Sequence, residues 1–273
     1  MAIVVSSPTF AEHVQTSRDL VFGVFPAMTA DNIMTAFSEL TRELSRELEQ
    51  PVILQTATSF VEFDRRLEHG DFDLIYVQPI SYVKTASKNG YRPLVSVVGD
   101  LRAVLVLQSG ANETTLAELS GKHIGTPPDQ ATITYLLRYA LAQQPDGLTD
   151  TIQFTEFQNH ELCLQVLLIG QIDSCATSAI QLGLFGVRND VVLPTFTLKF
   201  GVPFPTFAVH ARVAAATREK LHAVLLRQPS YPFAPGVRTQ QRLIDDQAFD
   251  IVRTVVRTVE SLPSPTANGR IRE

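Results

Sequence analysis

Leu67–Glu68–His69–Gly70–Asp71–Phe72–Asp73–Leu74–Ile75–Tyr76–Val77 is echoed 100 positions later by Leu167–Leu168–Ile169–Gly170–Gln171–Ile172–Asp173–Ser174–Cys175–Ala176–Thr177. Each reads as a helix end, a glycine stop, a variable pair, an aspartate and an apolar strand. Glycine just past a helix with a β-rich run close behind marks a tight helix-to-strand connection. The match extends upstream. Phe22–Gly23–Val24–Phe25–Pro26 pairs with Ile124–Gly125–Thr126–Pro127–Pro128, and Ala57–Thr58–Ser59–Phe60 falls opposite Phe157–Gln158–Asn159–His160. One β-α-β-α-β unit is therefore expected twice, with a cleft between the copies, where small ligands usually bind.

Outward from this echo, strands are expected over 20–25, 52–56 and 74–77, and helices over 31–49 and 60–69. Ile33, Met34, Phe37, Leu40, Leu44 and Leu48 fall near helical spacing. Pro51 stops the first helix, and Ser59 stands at the N-cap of the second. A short helix starts at Ser81, and apolar strands follow over 94–98 and 103–108. The second copy predicts strands over 122–125, 152–154 and 172–177, with helices over 132–142 and 160–169. A further strand is expected over 191–193, then a return crossing over 196–209 and helices over 217–227 and 238–260. Residues 1–18 read as a polar lead-in and 262–273 as a frayed tail. Alternating strands and helices imply an α/β fold of two mostly parallel-sheet lobes. Lobe one takes residues 1–102 and 200–273, and lobe two takes 103–199, inserted through two crossings.

With 273 residues there is room for two domains of about 100–150 residues. A net charge of −5 provides no general attraction to nucleic acid or anionic membrane. No apolar run reaches the roughly 18 residues needed to span a bilayer. Met1–Ala2–Ile3–Val4–Val5–Ser6–Ser7 has neither a charged leader nor a full apolar segment, so no complete secretory signal is read. No Gly-x-Ser-x-Gly, His-Glu-x-x-His or Walker loop occurs, which argues against an enzyme. His13, His69, His123, His210 and His222 are scattered and predict no metal cluster. Cofactors are not expected.

Candidate binding groups cluster where strands lead into helix N-termini, whose free N–H groups and partial positive charge suit anions or oxygen-rich ligands. Thr58 and Ser59 stand there in lobe one, and Thr132, Asn159 and His160 in lobe two. Helix capping is the competing role for each. Cys163 lies roughly 9 Å before its helix end at 1.5 Å per residue. Cys175 lies roughly 10 Å into the next strand at 3.3 Å per residue, so the two can reach similar height. Three states stay open for them: a disulfide, a thiolate pair for a thiophilic ligand, or two buried free thiols.

Asp73–Leu74–Ile75–Tyr76–Val77–Gln78–Pro79–Ile80–Ser81–Tyr82 resembles the strand-to-helix segment of the phosphate, phosphite and phosphonate solute-binding proteins of bacterial ABC importers. Asp129–Gln130–Ala131–Thr132–Ile133–Thr134–Tyr135–Leu136 is similar to their Ser-Thr-Ser anion loop, and Asn159–His160–Glu161 through Gly170–Gln171–Ile172–Asp173 continues the pattern. The resemblance covers about residues 20–210. It implies a two-lobed, type II periplasmic binding protein that closes by hinge motion on a small oxyanion or oxyacid. An ABC permease or a sensor histidine kinase would be its partner. Some relatives sense arsenite, which is the thiophilic alternative for Cys163 and Cys175. Expected ligand contacts are Ser59, Gln78, Ser81, Thr132, His160, Cys163 and Arg102, the last supplying a positive charge near a hinge. The ligand-binding domain of a cytoplasmic regulator is the alternative function.

Departures narrow the ligand. Ala131 and Ile133 replace two hydroxyl donors, each worth roughly 1.5–3 kcal/mol to a bound oxyanion. Ile180 and Phe204 stand where acidic partners of an amino group are expected, which disfavours an aminoalkyl phosphonate.

Overall fold

A computed structural model describes residues 18–144 and 147–262. The expected lead-in over 1–18, apart from Arg18, and the tail over 262–273, apart from Leu262, lie outside the described residues. The first lobe opens with β1 (Leu20–Val24), α1 (Ala30–Leu48), β2 (Val52–Gln55), α2 (Phe60–Glu68), β3 (Leu74–Val77), α3 (Pro79–Lys84) and β4 (Tyr91–Val97). β5 (Asp100–Leu107) carries the chain into a second sheet. There follow β6 (His123–Thr126), α4 (Thr132–Ala142), α5 (Leu148–Thr151), β7 (Gln153–Glu156), α6 (His160–Leu168), β8 (Ser174–Thr177), α7 (Ala179–Asn189) and β9 (Thr195–Pro203). The chain then returns through β10 (Thr206–His210), α8 (Ala215–Leu226), β11 (Ser230–Tyr231), β12 (Ala234–Arg238), β13 (Gln241–Leu243) and α9 (Asp250–Ser261).

The sheets run β13-β4-β10-β3-β1-β2 and β7-β6-β8-β5-β9. This is the expected two-lobed α/β architecture, although each sheet is mixed. The parallel triplets β2-β1-β3 and β7-β6-β8 are flanked by antiparallel strands, because the crossing strands enter against them. The repeat is structural. Gly23 pairs with Ile75 across β1 and β3, and Gly125 pairs with Cys175 across β6 and β8.

Each part of the echoed segment has a physical task. Gly70 (φ +67°) and Gly170 (φ +75°) adopt the left-handed conformation that closes a helix. Their N–H groups donate to Leu67 and Leu167, and the next residues donate to Arg66 and Val166. The Asp73 carboxylate then accepts the Val21 N–H at 2.9 Å, and Asp173 accepts the His123 N–H at 2.7 Å. Between them Phe72 and Ile172 slide under the first strand of their lobes. A Cβ on Gly23 would lie 2.6 Å from the Phe72 ring, and one on Gly125 would lie 2.6 Å from Ile172 Cδ1.

Three expectations change. Residues 191–193 pair with no strand, although Pro194 accepts from Leu107 N–H. The single crossing over 196–209 is two strands in different sheets, broken at Phe204–Pro205. The helix over 238–260 is real only from Asp250, where Val252, Val255, Val256 and Val259 make a buried face; upstream, β12 and β13 pair with β11 and β4. Helix α7 was unforeseen because Gly183 and Gly186 weaken its helical signal. Cys163 and Cys175 form a disulfide with Cα atoms 6.0 Å apart, tying α6 to β8 inside the second lobe.

Candidate ligand site between the lobes

The loops after β1, β3, β6, β7 and β8 converge between the sheets. They enclose a small inner chamber of about 50 Å³, lined by Phe25, Phe60, Gln78, Ala131, Thr132, His160, Ser178, Gln181, Tyr231 and Phe233 among others. A larger outer chamber of about 380 Å³ adjoins it between the start of α1 and the faces of α6 and α7. Ala27, His160, Gln181 and Phe233 border both. No Asp, Glu, Lys or Arg side chain lines the inner chamber.

Thr132 is buried at the first position of α4. Its N–H and hydroxyl both donate to Gln78 Oε1, at 2.8 and 3.0 Å. Gln78 Nε2 donates in turn to the Gln130 carbonyl at 2.8 Å and to Ser81 Oγ at 3.1 Å. The carboxamide is 3% exposed with all four hydrogen-bonding positions engaged, as burial of a polar group demands. Ala131 and Ile133 are also buried and add no side-chain donors.

His160 opens α6 and lines both chambers, its Nδ1 3.0 Å from Thr177 Oγ1. Burial pushes its pKa down to about 4, so the ring is neutral near pH 7. It can share one hydrogen with a ligand and one contact with Thr177, the tautomer following the ligand.

The remaining expected contacts stand elsewhere. Ser59 is exposed and caps α2 through Glu62 N–H at 3.1 Å. Ser81 is buried behind Gln78 and borders neither chamber. Arg102 projects from β5 into solvent, 3.8 Å from Asp100, and contributes no charge to the cleft. Cys163 is corrected outright as a ligand group: its sulfur is bonded to Cys175 and fully buried, so it presents no thiol.

Ser178 and Gln181 were missed, although the repeat carries the signal. Extended a few residues, it sets Gln78–Pro79–Ile80–Ser81 opposite Ser178–Ala179–Ile180–Gln181. Ser178 caps α7 through Gln181 N–H at 3.3 Å, and the Gln181 side chain faces the chambers. Phe233 lies in the turn between β11 and β12, its ring edge-to-face with those of Phe25, Phe37 and Tyr76. That segment has no counterpart in the repeat, so nothing pointed to it. Below α3, Asp64 is largely buried, with one carboxylate oxygen lacking a partner. Burial pushes its pKa up to about 6, against the opposing pull of Ser81 and Lys84.

The family model for ABC transporter, phosphonate, periplasmic substrate-binding proteins matches residues 22–237. The chain belongs to that family. Members of the phosphonate-binding family are solute-binding proteins, not enzymes. PhnD1 from Prochlorococcus marinus, solved with methylphosphonate, superimposes with a TM-score of 0.77 at 14% identity, covering 89% of this chain and 99% of that one. A binding-protein component of a phosphonate ABC transporter from Pseudomonas aeruginosa gives 0.70 at 10% identity, covering 89% and 86%. A Xanthomonas citri protein bound to ATP gives 0.66 at 15% identity, covering 89% and 98%. At these identities the likeness is one of fold. No curated protein matches the sequence. Among the described residues, no helix is long and apolar enough to cross a membrane, and no cluster of His, Cys, Asp or Glu could hold a metal.

Proposed function

We propose that this phosphonate-binding family member is a periplasmic solute-binding protein that captures a small phosphite- or phosphonate-like oxyacid. It closes around the ligand by hinge motion between lobe one (1–102 with 200–273) and lobe two (103–199). The ligand then passes to an ABC permease, or its capture is reported to a sensor kinase. The observation that carries this reading is the uncharged inner chamber at the interface of the lobes, where His160, Ser178 and Gln181 bring neutral polar groups from the starts of α6 and α7. Neutral donors at helix N-termini bind oxyanions without a counter-ion. The arsenite-like variant loses its support, because thiophilic binding needs thiolates and both sulfurs are bonded to each other.

Calorimetric titration with phosphate, phosphite, methylphosphonate and arsenite tests the proposal. At least one phosphorus oxyacid should bind, and His160→Ala should weaken it by about tenfold or more, the worth of one hydrogen bond to a charged group. Silence from every phosphorus oxyacid would overturn the reading.

A further inference from the structure

The two chambers differ in size and chemistry, and the difference bears on what fills them. On a scale where one water needs about 10–15 Å³, the inner chamber accepts a compact head group and nothing more. The donors of Thr132, which an oxyanion would otherwise use, are already occupied by Gln78. His160 is neutral, and no fixed charge stands nearby. Such a chamber is poorly equipped to hold two negative charges away from water.

The outer chamber has a volume typical of organic-ligand pockets. Its charged pair, Glu161 and Arg188, stands 3.3 Å apart and largely cancels. Met28 and Ala36 on one side and Leu184 on the other give it apolar walls. Because the chambers share Ala27, His160, Gln181 and Phe233, one molecule can occupy both.

We infer, resting on the oxyacid reading, that the preferred ligand is a singly charged oxyacid carrying a bulky apolar substituent. The acid group sits in the inner chamber by His160, Ser178 and Gln181. The substituent fills the outer chamber against Met28, Ala36 and Leu184. Affinity then comes chiefly from apolar burial rather than from the depleted anion loop.

The test is calorimetric titration of the full chain with methylphosphonate, phenylphosphonate and the monomethyl ester of each. Within each pair the phenyl compound should bind about tenfold or more tightly, given the apolar area it buries. Each monoester should at least match its diacid. Leu184→Trp and Ala36→Phe fill the outer chamber from opposite walls and should bring the phenyl-to-methyl ratio towards one. Two variants keep the test alive if one fails to fold. Methyl compounds binding as well as phenyl ones, a ratio unmoved by both variants, or a clear preference for the diacids would each overturn the inference while leaving the oxyacid reading intact. Binding of none of the four, nor of phosphite or phosphate, would overturn that reading and this inference together.

Discussion

Gln78 follows β3 of one sheet and Thr132 opens α4 beside the other, yet one carboxamide joins them. Oε1 of Gln78 receives both donors of Thr132, while its Nε2 reaches the Gln130 carbonyl just ahead of α4. Three hydrogen bonds thus cross the cleft from a single buried side chain.

Removing that side chain leaves two buried donors of Thr132 unmatched. Gln78→Ala should therefore destabilise the protein by about 1–3 kcal/mol, the cost of an unsatisfied buried polar group. Urea unfolding would show this as a lower midpoint. Small-angle scattering should report a larger radius of gyration, because the clasp between the lobes is gone. A variant with unchanged midpoint and radius would show that the clasp contributes nothing.

His160 should titrate far below an ordinary histidine. Its pKa of about 4 lies under the unfolded value near 6.5, so the unfolded chain binds the extra proton first. Its contribution to stability is complete above about pH 6.5 and is lost as pH falls through 4. Imidazole NMR should place the midpoint near 4 and move it upward when an oxyanion binds. A midpoint near 6.5 in the free protein would contradict the desolvated setting of the ring.

Asp64 works in the opposite direction. Its pKa of about 6 exceeds the reference value of 3.8, so the folded state holds a proton that the unfolded chain releases. Stability is lost as pH rises from about 4 to 6, and the penalty is constant above that window. Asp64→Asn should raise the melting temperature at pH 7.5, with the advantage fading towards pH 4. A gain independent of pH would point to packing instead of charge.

Reducing the Cys163–Cys175 bond should loosen the second lobe. A sequence separation of 12 lies close to the 15-residue loop for which chain entropy assigns about 3 kcal/mol. Paired Cys163→Ser and Cys175→Ser substitutions should lower stability by roughly that amount. They should not abolish oxyacid binding, since neither cysteine borders the chambers. Thiol titration of the unfolded, unreduced protein should find no free sulfhydryl from this pair.

Much of the scaffold was legible because a repeat doubles every signal. Gly70 with Gly170, and Asp73 with Asp173, mark the helix-to-strand corners in the sequence itself. Thr132 and His160 were legible as candidates, since each opens a helix after a strand and both face the inner chamber. Ser59 and Arg102 were not separable from them, because capping and solvent-facing roles use the same residue types as ligand binding. The C-terminal hairpin carrying Tyr231 and Phe233 escaped altogether. Its short strands offer no period, and its partners lie far upstream in sequence. Likewise, spacing left the cysteines open, and only their placement on α6 and β8 decided for a bond.

The contacts beneath Gly23 and Gly125 reach beyond packing. Each lobe carries its own lock, a bare backbone over Phe72 in one and over Ile172 in the other. The residues of these locks are not the residues that line the chambers. Residues 131–133, 159–160 and 178–181 can be rewritten for a new cargo without touching either lock, which makes this chain a natural chassis for retargeted capture.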